Sequence, residues 1–117
     1  ENLKNKTQQI KLQSKQYELQ KENKTLQYTK DLITANLQIE NIKTQLVTQK
    51  ENISLISETI AIFQARVEEG QESTSNLNLE EANLQALEAK YETSKKQLWV
   101  HWLDYLKASG QLSILWK

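Results

Sequence analysis

The stretch Arg66–Leu84, RVEEGQESTSNLNLEEANL, holds Gly70, one of two glycines in a 117-residue chain that has no proline. A lone glycine with small polar residues after it is where a helical chain can take a positive φ, close one helix and open another. Gly70 can supply a left-handed C-cap, and Ser73, Thr74, Ser75, Asn76 and Asn78 are candidate N-caps for the next helix. Asn78 stands three residues before Glu81, the spacing of a capping box, and Asn76 is nearly as good a start. Glu80 and Glu81, in the first turn of a helix begun there, would suit the positive end of its dipole.

Both sides of this stretch carry seams. Before it, Leu32, Ile39, Leu46, Ile53, Ile60 and Val67 recur every seven residues. Tyr28, Ala35, Ile42, Ile56 and Phe63 accompany them four residues earlier, with one polar break at Gln49. After it, Leu77, Leu84, Tyr91, Leu98, Tyr105 and Leu112 form a second unbroken line, joined three residues on by Leu87, Ala108 and Leu115. A reversal near residue 72 sets Val67 against Leu77, Ile60 against Leu84 and so on to Leu32 against Leu112. Equal periods guarantee the match once one pair fits, but not that both lines are equally long. The expectation is an all-α fold: residues 1–117 as a single long antiparallel coiled-coil helical hairpin, with unequal arms of about 3–68 and 77–115 and a turn of about 69–77. Gly110 lies where the second line still runs, and the helix is expected to continue past it.

A first helix of that length runs about 100 Å and the second about 60 Å at 1.5 Å per residue. Residues 1–27 therefore lack a partner within the chain. Leu3, Ile10 and Tyr17 keep one seven-residue line there, and Leu12, Leu19 and Leu26 another. The two lines flank a strip of Lys4, Lys11, Glu18 and Thr25, which predicts contacts on two sides, with other parts of a larger protein or with another copy.

Composition agrees with long helices rather than a compact core: 38% hydrophobic, 26% charged, mean hydropathy −0.71. The formal net charge is zero, but the first thirty residues are lysine-rich while residues 67–89 carry six glutamates and no basic residue. Nucleic-acid binding is not expected from a neutral chain whose basic end has only Tyr17 and Tyr28 for stacking. There is no cysteine, so neither disulfides nor thiolate metal sites arise, and no apolar run approaches the roughly 20 residues of a membrane-spanning helix. With no methionine at all, the chain reads as a piece of something longer. His101 has no second histidine or cysteine to share a metal or a proton, and it reads as a seam imidazole. Paired carboxylates such as Glu68/Glu69 sit at an exposed turn, without the pocket that separates pKa values for acid–base work. No enzyme and no cofactor are expected. Trp99, Trp102 and Trp116, interleaved with Lys95, Lys96 and Asp104, read as large seam and flank residues packing on the first helix or a neighbour rather than as a membrane-interface belt.

Several of these segments together resemble a known family. R-x-x-x-G at Arg66–Gly70, a Ser/Asn-rich turn, L-x-L-E-E-A-x-L at Leu77–Leu84, A-K-Y at Ala89–Tyr91 and D-Y-L-K-A-S-G-Q-L at Asp104–Leu112 look like the helical repeat of TolC-like outer-membrane efflux proteins. The match spans about residues 60–112. Asn76 stands where the family often has Asp, and the Gly70–Ala82 segment is about two residues longer than usual. The resemblance implies a trimeric channel exporting small molecules or proteins, with β-strands in the outer membrane continuing into a periplasmic α-barrel of helical hairpins. This segment would lie in the periplasm as one hairpin, with the membrane strands outside the chain. The tip at Gly70 would dock a periplasmic adaptor that joins an inner-membrane pump. By motif position, Arg66, Glu69, Gly70, Ser73 and Asn76 would be the partner-binding residues. The ending LSILWK favours the second, C-terminal repeat. Two other readings compete: the hairpin of the adaptor protein itself, whose lipoyl-like sheet would add strands, and a generic structural coiled-coil domain, which would add more heptads.

Overall fold

The computed structural model describes residues 2–116 and holds, among them, two α-helices and no strand: α1, Asn2–Glu68, and α2, Thr74–Leu115. The 67 residues of α1 contain neither glycine nor proline, so nothing removes a ladder hydrogen bond or loosens the backbone along it. Hydroxyl side chains inside the helices turn back onto the preceding turn, as Thr44 Oγ1 does to the Glu40 carbonyl and Ser57 Oγ to that of Ile53. α2 runs straight through Gly110, as its seam predicts. An added Cβ there would meet no atom within 4 Å, so this glycine is not a close-packing point within the chain.

The helices fall into two compact units. One, Leu37–His101, contains the turn; the other joins residues up to Asn36 with those from Trp102 onward. In the turn unit the seam positions are all buried or half-buried: Ile39, Ile42, Leu46, Ile53, Ile56, Ile60, Phe63 and Val67 on α1, and Leu77, Leu84, Leu87, Tyr91 and Leu98 on α2. Ile39 retains only 2% of its surface. The register is fixed by one side-chain bond across the seam: Gln49 Nε2 donates to Ser94 Oγ at 3.0 Å. The polar break in the α1 seam thus meets a small polar residue on α2. Ser94 is buried, and Gln49 Oε1 is enclosed without accepting a hydrogen bond. In water such a bond adds only about 0.5–1.5 kcal/mol net, so the apolar layers on either side carry the stability.

In the other unit Ala35 and Ala108 are buried, and Tyr28, Leu32, Tyr105, Leu112 and Leu115 half-buried. Lys21 lies over the Trp116 ring, 4.3 Å from its centre, and Trp102 meets Tyr105 edge-on at 5.7 Å.

Four expectations change. The turn is shorter than 69–77, because α2 already begins at Thr74. Glu80 and Glu81 therefore lie beyond the first turn of α2, where the dipole no longer favours them. The unpartnered stretch is also shorter than 1–27: Lys21, Thr25 and Tyr28 are half-buried, and residues 2–20 are all exposed, while residue 1 lies outside the described residues. The tryptophans do not enter the seam. Trp99 keeps 71% of its surface, because its heptad position turns away from α1, and Trp116 keeps 62% while meeting α1 through Lys21.

Candidate functional site

α1 ends in a Schellman motif. The Gln71 N–H donates to the Arg66 carbonyl at 2.8 Å and the Gly70 N–H to that of Val67 at 3.0 Å, the two reverse bonds that close such a helix. They require a left-handed residue at Gly70, whose φ is +74°, the one positive φ among the described residues. A side chain there would meet open space, so the demand for glycine comes from the backbone alone.

Three residues later the second helix opens. Ser73 Oγ accepts the Asn76 N–H at 3.2 Å, and the Ser73 carbonyl takes the Leu77 N–H at 3.3 Å, which makes Ser73 the N-cap. Asn76 is thus the third helical residue rather than a cap, and Asn78 lies inside α2. Glu72 ties the reversal together: its Oε1 accepts the Asn76 Nδ2–H at 2.7 Å and the Ser73 N–H at 3.1 Å. Ser73 thus keeps the N-cap half of a capping box, while its own N–H is taken by Glu72, the residue before it, rather than by the side chain of the third helical residue. The Asn76 side-chain amide, then the Ser73 N–H and, more weakly, the Arg66 charge hold the Glu72 carboxyl below the ordinary glutamate range, with slight burial working the other way.

The five residues expected at the tip, Arg66, Glu69, Gly70, Ser73 and Asn76, therefore come together around one turn, and all five are exposed there. Their roles divide. Gly70, Ser73 and Asn76 build the reversal. Arg66 is the sole basic residue in the last turn of α1, beside Glu68 and Glu69, which lie at the negative end of the helix dipole. Carboxylates placed against the dipole do not help the helix end, so Glu68 and Glu69 have no evident stabilising role there. Glu72 is a member of the site that sequence reasoning missed; its signal is a carboxylate directly before the serine cap and four residues before an amide.

Elsewhere the chemistry is sparse. His101 is half-buried at its seam position. Among the described residues no three His, Asp or Glu side chains stand close enough to hold a metal ion, and no helix is long and apolar enough to cross a membrane. A shallow groove of about 610 Å³ runs past Ile53, Gln85, Ala89 and Tyr91 on the flank of the hairpin, open to solvent along its length. The α1 arm exposes a run of large apolar side chains: Leu3 keeps 82% of its surface and Ile10, Leu12, Tyr17, Leu19 and Leu26 half or more. Comparison with protein families, curated proteins and solved structures finds no match for this chain.

Proposed function

We propose that this chain is one hairpin of the periplasmic α-barrel of a TolC-like outer-membrane efflux channel, with the turn at Gly70 as the docking tip for a periplasmic adaptor. The observation that carries the reading is the coincidence of the R-x-x-x-G motif with the reversal: the Arg66 carbonyl accepts the outer cap bond, from Gln71, Gly70 takes the left-handed position inside it, and a long and a short helix leave the turn. Support comes also from the arm, whose two exposed apolar lines call for helices on both sides, as neighbours in a barrel would provide. In this reading Arg66 and Glu69, with Glu72 beside them, meet the adaptor, and Gly70, Ser73 and Asn76 hold the shape that presents them. The barrel is a trimer, its outer-membrane strands lie outside this chain, and the adaptor links it to an inner-membrane pump.

The absence of cysteine makes one test direct. In cells producing the full-length gene product, a single cysteine at Glu69 should form a disulfide with cysteines placed on the tip of the cognate adaptor hairpin, and one at Lys43 should not. The sequence flanking residues 1–117 should hold strand segments and a second R-x-x-x-G repeat. Lipoyl-like flanks would assign the hairpin to the adaptor, and continued heptads to a structural coiled coil; either would end the channel reading.

A further inference from the structure

The charges are divided between the two units rather than mixed. The unit formed by residues 1–36 and 102–117 has nine basic and five acidic side chains, and Leu37–His101 has six basic and ten acidic, so a chain of zero net charge is made of halves of about +4 and −4. The arm repeats one short pattern on its exposed surface. Leu3, Lys6 and Ile10 stand at offsets of zero, three and seven, and so do Leu12, Lys15 and Leu19. That spacing places two apolar side chains and the charge between them on one helical face. Among the exposed residues of the acidic half the same pattern occurs with the sign reversed at Leu55, Glu58 and Ile62, on the outer side of α1; Leu77, Glu80 and Leu84 share the offsets but are half-buried in the seam. The nine residues of the other three sets are all exposed. Leu55 keeps 61% of its surface and Ile62 52%, so this line, like those of the arm, is not consumed by the hairpin seam.

We infer that the arm of one copy docks on the Leu55–Ile62 face of a second copy, Lys6 or Lys15 meeting Glu58 while the leucine and isoleucine side chains interleave. The short apolar lines supply only part of the association; the charges add the remainder and select the partner face, since arm on arm would set lysine against lysine. Exposed ion pairs contribute little on their own and are screened at about 10 Å in 0.1 M salt, so the contact is weak and salt-sensitive. This contact does not rest on the channel reading and is an alternative use of the same arm: in a barrel of parallel copies the start of α1 would lie about 78 Å along the helix from the Leu55–Ile62 face.

The test uses the full 117-residue chain in sedimentation velocity, at about 20 mM and about 0.5 M salt, with circular dichroism to confirm that each variant stays helical. The wild-type chain should sediment above its 13.7 kDa at low salt and fall to that mass at high salt. Glu58→Lys alone, or Lys6→Glu with Lys15→Glu, should give 13.7 kDa at low salt, and the three changes together should restore the larger species. A wild-type monomer at low salt, an unchanged mass in the Glu58→Lys chain, or failure of the triple swap to restore association would overturn the contact.

Discussion

Gly70 and Gly110 are the two glycines of the chain, and the structure gives them opposite meanings. Gly70 sits at a φ of +74° with nothing near its missing side chain, so any L-residue there bears only the backbone cost. Gly70→Val should lower stability by about 1 kcal/mol or more, read as a lower urea midpoint at unchanged slope. Gly110 has ordinary helical geometry and equally open surroundings. Gly110→Ala should therefore raise stability, by about 0.5–1 kcal/mol, through the helix propensity gained. The contrast is half legible in the sequence. The seam running past residue 110 marks that glycine as interior, and the polar run after residue 70 marks the other as a break. What no pattern of residue types can fix is the hydrogen-bond partner of each cap, because consecutive small polar residues offer nearly equivalent N-caps until the Schellman bonds set where α1 stops.

At the scale of the elements, the start of α2 depends on a carboxylate. Glu72 accepts from Asn76 and from the Ser73 amide most strongly when ionised, and its pKa in the folded chain lies below the ordinary value. A depressed folded pKa gives stability that is present above the unfolded value and is lost as pH falls through the folded one. Wild type should therefore exceed Glu72→Gln in thermal midpoint near neutral pH, and the two should converge below the normal glutamate range; a gap that stays constant down to strong acid would mean the carboxylate is not the source. The seam between the elements is the most legible part of the molecule, since every heptad position from Tyr28 to Val67 and from Leu77 to Leu115 is shielded. Its one polar layer is visible only on one side. Gln49 stands out among leucines and isoleucines, whereas Ser94 is an ordinary residue for a helix surface and shows itself only through the bond that Gln49 makes. Size alone suggests packing for the tryptophans, but Trp99 lies one residue past the seam leucine at 98 and so turns away from α1.

For the whole molecule, the two helices leave unlike faces open. The turn end is acidic and shaped by its caps, and the arm is basic and apolar along two lines, so the chain presents one surface for recognition and another for burial. That division is what the channel reading and the self-association both draw on, each with its own test. Both depend on one antecedent, that α1 and α2 fold back on each other in the register of Gln49 and Ser94. The most direct measurement is a pulsed electron resonance distance between spin labels at Thr48 and Thr93, both exposed on the hairpin, in labelled chain diluted with unlabelled chain so that only intramolecular pairs count. Packed helices lie about 8–10 Å apart, so the hairpin predicts a single narrow distribution within about 25 Å, label arms included. A continuous helix across residues 69–73 would separate the same sites by about 68 Å, and a distribution centred there would contradict the hairpin.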